Sequence, residues 1–159
     1  MAKLAELALW EQLFVKAYPF RQARWRRAAP ATALAAARTA LITTAGLHLA
    51  GQDPFDTSIK GGDCSYRWIP GDVQLPKLEM THRSHAFDRR GVDQDRNLCF
   101  PLERFRELEA ERVVGSLNHR HLSLMGSITA PGRLLRQTAP EAARELKGDG
   151  VDLAFLVPV

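Results

Sequence analysis

Residues 148–159 read GDGVDLAFLVPV, and they give the clearest indication of the fold class. Its apolar run is almost uninterrupted, which is typical of a strand buried on both faces of a parallel sheet. The preceding segment, 131–147, has the spacing of a helix that ends at Gly148, with Pro140 as a break point. A helix leading into such a strand predicts an α/β unit whose ligands lie just past the strand's carboxyl end, beside Val159.

The alternation of helices and strands extends towards the amino terminus. Residues 39–46 (TALITTAG) have the β-branched density of a second buried strand. Further helices are predicted at 2–17, 21–27 and 101–113, and shorter strands at 65–69, 78–85 and 113–117. Loops are predicted at 46–56 and 86–100, and the alanine-rich residues 31–39 also suit a helix. We therefore predict an α/β fold with a mostly parallel sheet, a Rossmann-like layered half-domain at 37–159, after a basic helical extension at 1–36.

The net charge of +4 is concentrated at the amino terminus. The first 30 residues carry only two acids but six basic side chains: Lys3, Lys16, Arg21, Arg24, Arg26 and Arg27. This pattern suits an amphipathic helix with a solvated basic edge, which we favour, or salt-sensitive binding to RNA, a membrane surface or an acidic partner. The remainder of the chain is electrically balanced, which argues against a nucleic-acid partner.

The cysteines and the hydropathy pattern predict a cytoplasmic protein. Cys64 and Cys99 form no CxxC motif and have no zinc-type spacing around them, which favours a reducing compartment. The amino-terminal residues contain acids within their apolar stretch, unlike a secretory signal. No apolar run reaches the roughly 18 residues of a membrane span, so we expect no membrane partner.

Three groups of polar residues are candidates for chemistry. Thr43, Thr44 and Gly46 end a strand and suit an anion such as a carboxylate, or equally a turn that satisfies its own backbone. His119 and His121 would share one face of an extended segment, and histidine is the natural acid or base near neutral pH. Motifs of the GxSxG and HExxH type are absent from the sequence.

The third group is a loop rich in metal-type ligands: His82, His85, Asp88, Asp93, Asp95 and Asn97. In an extended segment His82 and His85 would point to opposite faces, and the aspartates lack calcium-loop spacing. We therefore favour a hydrogen-bonded loop in which Asp95 and Asn97 cap neighbouring backbone, and we predict no metal.

Four stretches, taken in order, resemble the selenoprotein B family of glycine, sarcosine, betaine and D-proline reductases. They are ARTALITTAGLHLAGQDPFD (37–56), THRSHAFDRRGVDQDRNLCFPLERFREL (81–108), GSLNHRHLSLMG (115–126) and ELKGDGVDLAFLVPV (145–159). The second contains a D-x-N-x-x-FP-x-x-R-x-x-x-L pattern, and the third a glycine-flanked H…S…MG pattern. The resemblance covers about residues 37–159.

The resemblance implies a thiol-dependent reductive cleavage of a C–N bond in an amino acid or amine. It also implies a selenocysteine or cysteine, in a [U/C]-x-x-C pattern, just past the strand that matches GVDLAFLVPV. No such pair is present here, so one hypothesis is a reading frame closed at a UGA selenocysteine codon after Val159, which the genomic sequence would test. The implied partners are a pyruvoyl-containing subunit and a thiol or selenol electron-donor protein; this chain itself is expected to carry no cofactor.

Two functions remain open from the sequence. The first is a reductase component with a cleft beside Val159, in which His119 or His121 relays protons and Thr43 and Thr44 hold a substrate carboxylate. Gly46, Asp95 and Asn97 complete the predicted substrate-binding set. The second is a non-catalytic binding or assembly protein that keeps the fold without the nucleophile. In either case an unfinished sheet edge would invite a partner strand or a second copy of the chain.

Overall fold

A mostly parallel sheet forms the centre of the protein. The computed structural model describes residues 8–17, 28, 32–84 and 87–159. Strand β1 (Arg38–Thr43) has β7 (Leu153–Val157) on one side and both β5 (Ser116–Leu117) and β6 (Arg120–Leu124) on the other, all parallel to it. Strand β3 (Tyr66–Pro70) adds to β6 in the antiparallel direction. The α/β class and the parallel sheet predicted from the sequence are thus confirmed.

The sheet is covered on both faces. Helix α3 (Leu102–Ala110) contributes Leu102 and Phe105 to a core cluster that includes Leu41 of β1 and Ile69 of β3. On the opposite face, the Tyr66 hydroxyl donates to two glutamates of α4 (Ala139–Gly148). Residues that are paired across neighbouring strands point to the same face, so the two helices lie on opposite sides and make three layers.

A second, two-stranded antiparallel sheet joins β2 (Leu47–Leu49) to β4 (Leu78–Met80). Residues 46–56 were predicted to be loop, and β2 corrects part of that prediction. The segment 78–85 was predicted to be one strand, but only Leu78–Met80 pairs with β2. Helix α1 (Leu9–Ala17) agrees with the prediction for that stretch; the predicted helix at 21–27 and its arginines lie outside the described residues.

The charged segment at 86–100 is not a plain loop. It contains helix α2 (Arg89–Gln94) and a 3-10 turn (Arg96–Leu98). Asp88 accepts a hydrogen bond from the backbone N–H of Arg90, and Asp95 accepts one from that of Asn97. Side-chain caps of this kind stabilise helical turns that have weak apolar periodicity, which explains why the sequence pattern suggested a loop.

Three local predictions differ from the structure for identifiable reasons. The alanine-rich segment forms only a 3-10 turn (Leu34–Ala36) because the chain becomes extended at Ala37 and enters β1. Pro140 does not break the last helix: it lies in the first turn of α4, where its missing N–H costs nothing, and follows a π-helical turn (Leu134–Thr138). Strand β5 is shorter than the predicted 113–117 because only its last two residues pair with β1.

Strand β7 forms as predicted but is not buried. It is the edge strand beside β1, and its central residues Ala154, Phe155 and Leu156 are exposed. Leu156 is 66% exposed, and the ring of Phe155 packs against that of Phe105 with 4.8 Å between the centroids. None of the helices in the described ranges is long and apolar enough to cross a bilayer.

Candidate active site at the carboxyl edge of the sheet

The segments that follow β1, β6 and β7 meet at the carboxyl edge of the sheet. The backbone N–H of Thr44 donates to the carbonyl of Val157 at 3.2 Å, and that of Gly126 donates to the carbonyl of Thr44 at 2.7 Å. The N–H of Gly46 donates to the carbonyl of Leu124 at 2.8 Å. These bonds use the amides of Thr44 and Gly46, so a ligand at this edge would meet side chains rather than those two N–H groups.

Thr44 ties the end of β1 to Val159. Its hydroxyl accepts a hydrogen bond from the Val159 N–H at 3.0 Å and lies 3.3 Å from the Val159 carbonyl oxygen. Thr43 points the other way, into the core, because successive residues of a strand alternate between faces. The Thr43 hydroxyl donates to the Cys99 carbonyl at 2.7 Å and accepts from the Ala45 N–H at 3.1 Å.

Gly46 has a structural reason to be glycine. Its φ of +72° lies in the left-handed region, and a Cβ at this position would collide with the backbone carbonyl of Thr81. The Thr81 N–H donates to the Gly46 carbonyl at 2.9 Å. Gly46 thereby brings the segment after β4 against the carboxyl edge of the main sheet.

His82 follows Thr81 and reaches the edge beside Val159. The ring packs against Phe87 at 4.7 Å between centroids, and its Nδ1 accepts a hydrogen bond from the Ser84 N–H at 3.2 Å. Its Nε2 is buried and has no hydrogen-bond partner among the described residues. Burial is the main factor that lowers the pKa of His82 below its ordinary value; a smaller contribution comes from the positive charge of Arg89.

An open cavity of about 350 Å³ lies at this position. It is lined by His82, Ser84, Phe87, Asp88, Ser127 and Val159. Ser127 has a φ of +62°, an uncommon conformation for a residue with a side chain and one that is concentrated at functional sites. The Asp88 carboxylate is paired with the Arg90 guanidinium at 2.8 Å, so its charge is partly neutralised.

The structure does not bring the two predicted catalytic histidines to this edge. His121 is fully buried in the α3-side core, where its Nδ1 accepts from the Leu41 N–H at 3.1 Å and its ring meets Phe100. Burial lowers the pKa of His121 to about 4. His119 is largely exposed and lines a different cavity, of about 470 Å³. The predicted cleft that would group both histidines with Thr43 and Thr44 beside Val159 is therefore not formed, and the proton-transfer roles of the two histidines stay predictions.

A bulge is the physical reason for this separation. Arg38 is opposite Ser116 and Ile42 is opposite Leu122, so the partner chain has two more residues than β1 over the same distance. Asn118 and His119 lie between β5 and β6, where Asn118 still donates its N–H to the Thr39 carbonyl at 2.9 Å and His119 is largely exposed.

Asp95 and Asn97 form a capping network at the start of α3. The Asp95 carboxylate accepts from both the backbone and the side-chain N–H groups of Asn97, which hold its pKa below the usual range. Asn97 in turn accepts from the Glu103 N–H at 3.2 Å and donates to its carboxylate at 2.8 Å. This confirms the predicted capping role. Both residues line a separate cavity of about 340 Å³, and their predicted contact with substrate stays a prediction.

The two cysteines of the chain are unsuited to be its nucleophile. Both are free and buried, and burial raises the pKa of the Cys99 thiol to about 11, which keeps it protonated at neutral pH. No group of three or more His, Cys, Asp or Glu residues with the arrangement of a metal site occurs within the described ranges, where His85 is not included.

Comparison with known proteins identifies the family of the chain. The sequence profile described as glycine/sarcosine/betaine reductase selenoprotein B matches residues 8–158. This chain belongs to the selenoprotein B family. The match confirms the resemblance seen in the sequence, and it begins within the segment that was predicted to be a separate extension.

A curated relative of this selenoprotein B-type chain is the D-proline reductase subunit gamma of Acetoanaerobium sticklandii. The two are 33% identical over 117 residues, which is 74% of this chain and 46% of the relative. The chain therefore spans about half the length of the curated relative that it matches. No solved structure shows a significant match.

Both His82 and Gly126 belong to patterns that were noted in the sequence, but no sequence signal indicated that the two residues are neighbours. His82 stood in the metal-type loop, and Gly126 closed the H…S…MG pattern of the selenoprotein B resemblance. A Cβ on Gly126 would lie 3.0 Å from His82 Nε2 and 3.3 Å from the Val159 oxygen. The pairing of Thr81 with Gly46 and the bond from the Gly126 N–H to the Thr44 carbonyl bring these residues together.

Proposed function

We propose that this chain is a component of a selenoprotein B-type reductase and that the carboxyl edge of its sheet forms part of the reaction site. The observation that carries the proposal is the contact between Thr44 and Val159 at the ends of adjacent parallel strands. In open α/β sheets, ligands bind beyond the carboxyl ends of the strands. The neighbouring cavity beside His82 provides room for reacting groups at this position.

The proposed reaction is a thiol-dependent reductive cleavage of a C–N bond in an amino acid or amine of the glycine, sarcosine, betaine or D-proline class. The C–N bond breaks and the nitrogen leaves with the electron pair, while the carbon takes up two electrons and a proton. The second proton that the thiols release goes to the leaving nitrogen or to solvent. Two thiols, or a selenol and a thiol, supply the two electrons as they join in a disulfide or selenosulfide. Since Cys64 and Cys99 are buried, we propose that the nucleophile comes from a segment outside residues 1–159 and enters beside Val159.

The proposed partners are a pyruvoyl-containing subunit and a thiol or selenol electron-donor protein. The curated relative is itself named as a subunit, which supports an assembly. The open edge of β7, with Phe155 and Leu156 exposed, supports pairing with a further strand, from a partner or from a second copy of the chain. The free cysteines support a reducing, cytoplasmic location.

The test is purification of the tagged chain, with its bound partners, from the cells that produce it. The isolated complex is assayed with dithiothreitol as reductant and with glycine, sarcosine, betaine and D-proline in parallel. We expect amine or ring-opened product from at least one of them. Thr44→Val removes the hydroxyl that contacts Val159 and should lower kcat/KM at least about tenfold, the effect of losing about 1.4 kcal/mol of transition-state stabilisation.

Thr57→Val is the matched control, because Thr57 is an exposed threonine in the 46–65 segment. It should leave turnover within about twofold, as surface substitutions usually do. A complex that contains reductase subunits but converts none of the four substrates would favour the assembly-protein alternative. Purification without any reductase subunit would overturn the proposal altogether.

A further inference from the structure

Strand β7 has a free outer edge with backbone groups that can pair with a further strand. Among the described residues β7 pairs only with β1. The Val157 carbonyl accepts from the Thr44 N–H, so Val157 turns its backbone polar groups towards β1. Successive residues of a strand alternate, so the N–H and carbonyl groups of Ala154 and Leu156 point away from β1. Pro158 lies beyond the last paired residue of β7 and blocks neither of these outward N–H groups.

The side chains of β7 are apolar on both faces of the sheet. Phe155 lies on the α3 side, where its ring packs against Phe105, yet it is 42% exposed. Its neighbour Leu156 points to the opposite side, and residues 153–159 contain no charged side chain. Sheet edges that face water usually carry charges or bulges, or are covered by a helix or loop. The composition of β7 therefore indicates a strand that a further element covers.

The connection through α4 indicates where a further element of the sheet would lie. This helix links β6 to β7 across β1, and it lies on the face to which Leu156 points. Crossovers between parallel strands are right-handed, so another step in the same direction places its helix on the α4 face and its strand outside β7. Such a unit covers the Leu156 side chain and pairs in parallel with the outward backbone of Ala154 and Leu156.

We propose that the outer edge of β7 docks a helix followed by a parallel strand, both from a selenoprotein B-type segment that residues 1–159 do not contain. The inference rests on the proposed function, in which this chain is one component of a reductase. The curated relative has room for such a segment, because the match with this chain covers only 46% of its length. A second copy of this chain fits less well: a twofold axis would pair the two β7 strands antiparallel and leave Leu156 without a covering helix.

The test is photo-cross-linking within the assembly, isolated from the cells that produce the protein. The tagged full chain carries the photoreactive residue p-benzoylphenylalanine in place of Leu156, and cross-linked peptides are identified by mass spectrometry. We expect a cross-link to a peptide of selenoprotein B-type sequence that does not occur in residues 1–159. The matched control carries the same photoreactive residue in place of Leu98, a 61% exposed leucine in the turn before α3, and should not give this product.

A proline variant tests the strand pairing itself. Ala154→Pro removes an N–H that points outward, so it spares the bonds between β7 and β1 but deprives a further strand of a donor. In the chain with the photoreactive residue at position 156, it should lower the cross-link yield at least about tenfold, as a loss of about 1.4 kcal/mol in docking does. Ala33→Pro is the matched control, because the exposed Ala33 has a φ of −62° that proline adopts. It should leave the yield within about twofold.

A cross-link from position 156 to residues 1–159, of the same or of a second copy, would overturn the inference. So would a cross-link to a protein without selenoprotein B-type sequence, or the same products from positions 156 and 98. The cross-link requires no turnover, so its failure is separate from failure of the proposed reductase activity. An assembly that gives the expected peptide but reduces none of the four substrates would leave the inference standing and remove only the proposed reaction.

Discussion

Acidification should destabilise the protein through His121, and the size of the effect follows from its burial. The pKa of His121 is about 4 in the folded protein, against 6.5 for an unperturbed histidine. Because the folded pKa is the lower one, the unfolded chain binds the proton first as the pH falls. The stabilising contribution is therefore complete above about pH 6.5 and is lost as the pH falls through 6.5 towards 4.

The magnitude follows from linkage between protonation and unfolding. A depression of this size amounts to about 3 kcal/mol when fully expressed, and to about 2 kcal/mol of lost stability between pH 7.5 and pH 5. The perturbation is His121→Asn, which removes the titration but retains an oxygen able to accept the Leu41 N–H. Other titrating groups, such as His82, affect wild type and variant alike and cancel in the comparison.

The assay is urea unfolding, followed by circular dichroism, at pH 7.5 and pH 5 for both proteins. We expect the wild type to lose about 2 kcal/mol more than His121→Asn over this interval. His121→Phe, which leaves the Leu41 N–H without an acceptor, should also lack the pH response and should be about 1–3 kcal/mol less stable than the wild type at pH 7.5. Equal pH responses in wild type and His121→Asn would refute the placement of a neutral, buried imidazole in the core.

Two further changes probe the contacts that position the edge and the helices. Gly46→Ala should lower the free energy of unfolding by at least about 2 kcal/mol, because the new methyl meets the Thr81 carbonyl at a positive φ; urea unfolding at pH 7.5 measures it. Arg120→Lys should cost about 1–2 kcal/mol in low salt, because lysine cannot reproduce the forked bonds from Nε and Nη2 to Asp149.

Each of these changes has a matched control in the chain. A Cβ on Gly51 would meet no atom within 4 Å, so Gly51→Ala should be close to neutral. Arg104 forms an exposed pair with Glu107 at 2.9 Å, and Arg104→Lys should change stability by less than about 0.5 kcal/mol. If Gly46→Ala proves as stable as Gly51→Ala, the close approach of Gly46 to the Thr81 carbonyl is contradicted. If Arg120→Lys proves as stable as Arg104→Lys, the forked bond to Asp149 contributes nothing.

The candidate site was only partly predictable. Thr44 and the position beside Val159 were accessible from the sequence, since each lies at the end of an apolar strand and parallel strands share one carboxyl edge. The prediction that His119 and His121 share one face assumed a continuous strand, in which every second side chain points the same way. The bulge at Asn118 and His119 interrupts the strand pairing, so the assumption fails. A bulge depends on how two distant segments pair, which no local pattern records.

Dense local signals were enough to predict three elements: the β-branched residues of β1, the apolar run of β7 and the proline-led α3. The sequence also carried enough family motifs to indicate a selenoprotein B-type chain. Long-range packing placed β7 at an exposed edge and His121 in the core, and it brought His82 and Val159 to the same cavity. The reason is physical, because burial and proximity arise from pairings between residues far apart in the chain, such as Gly46 with Thr81, whereas local propensity acts over a few residues.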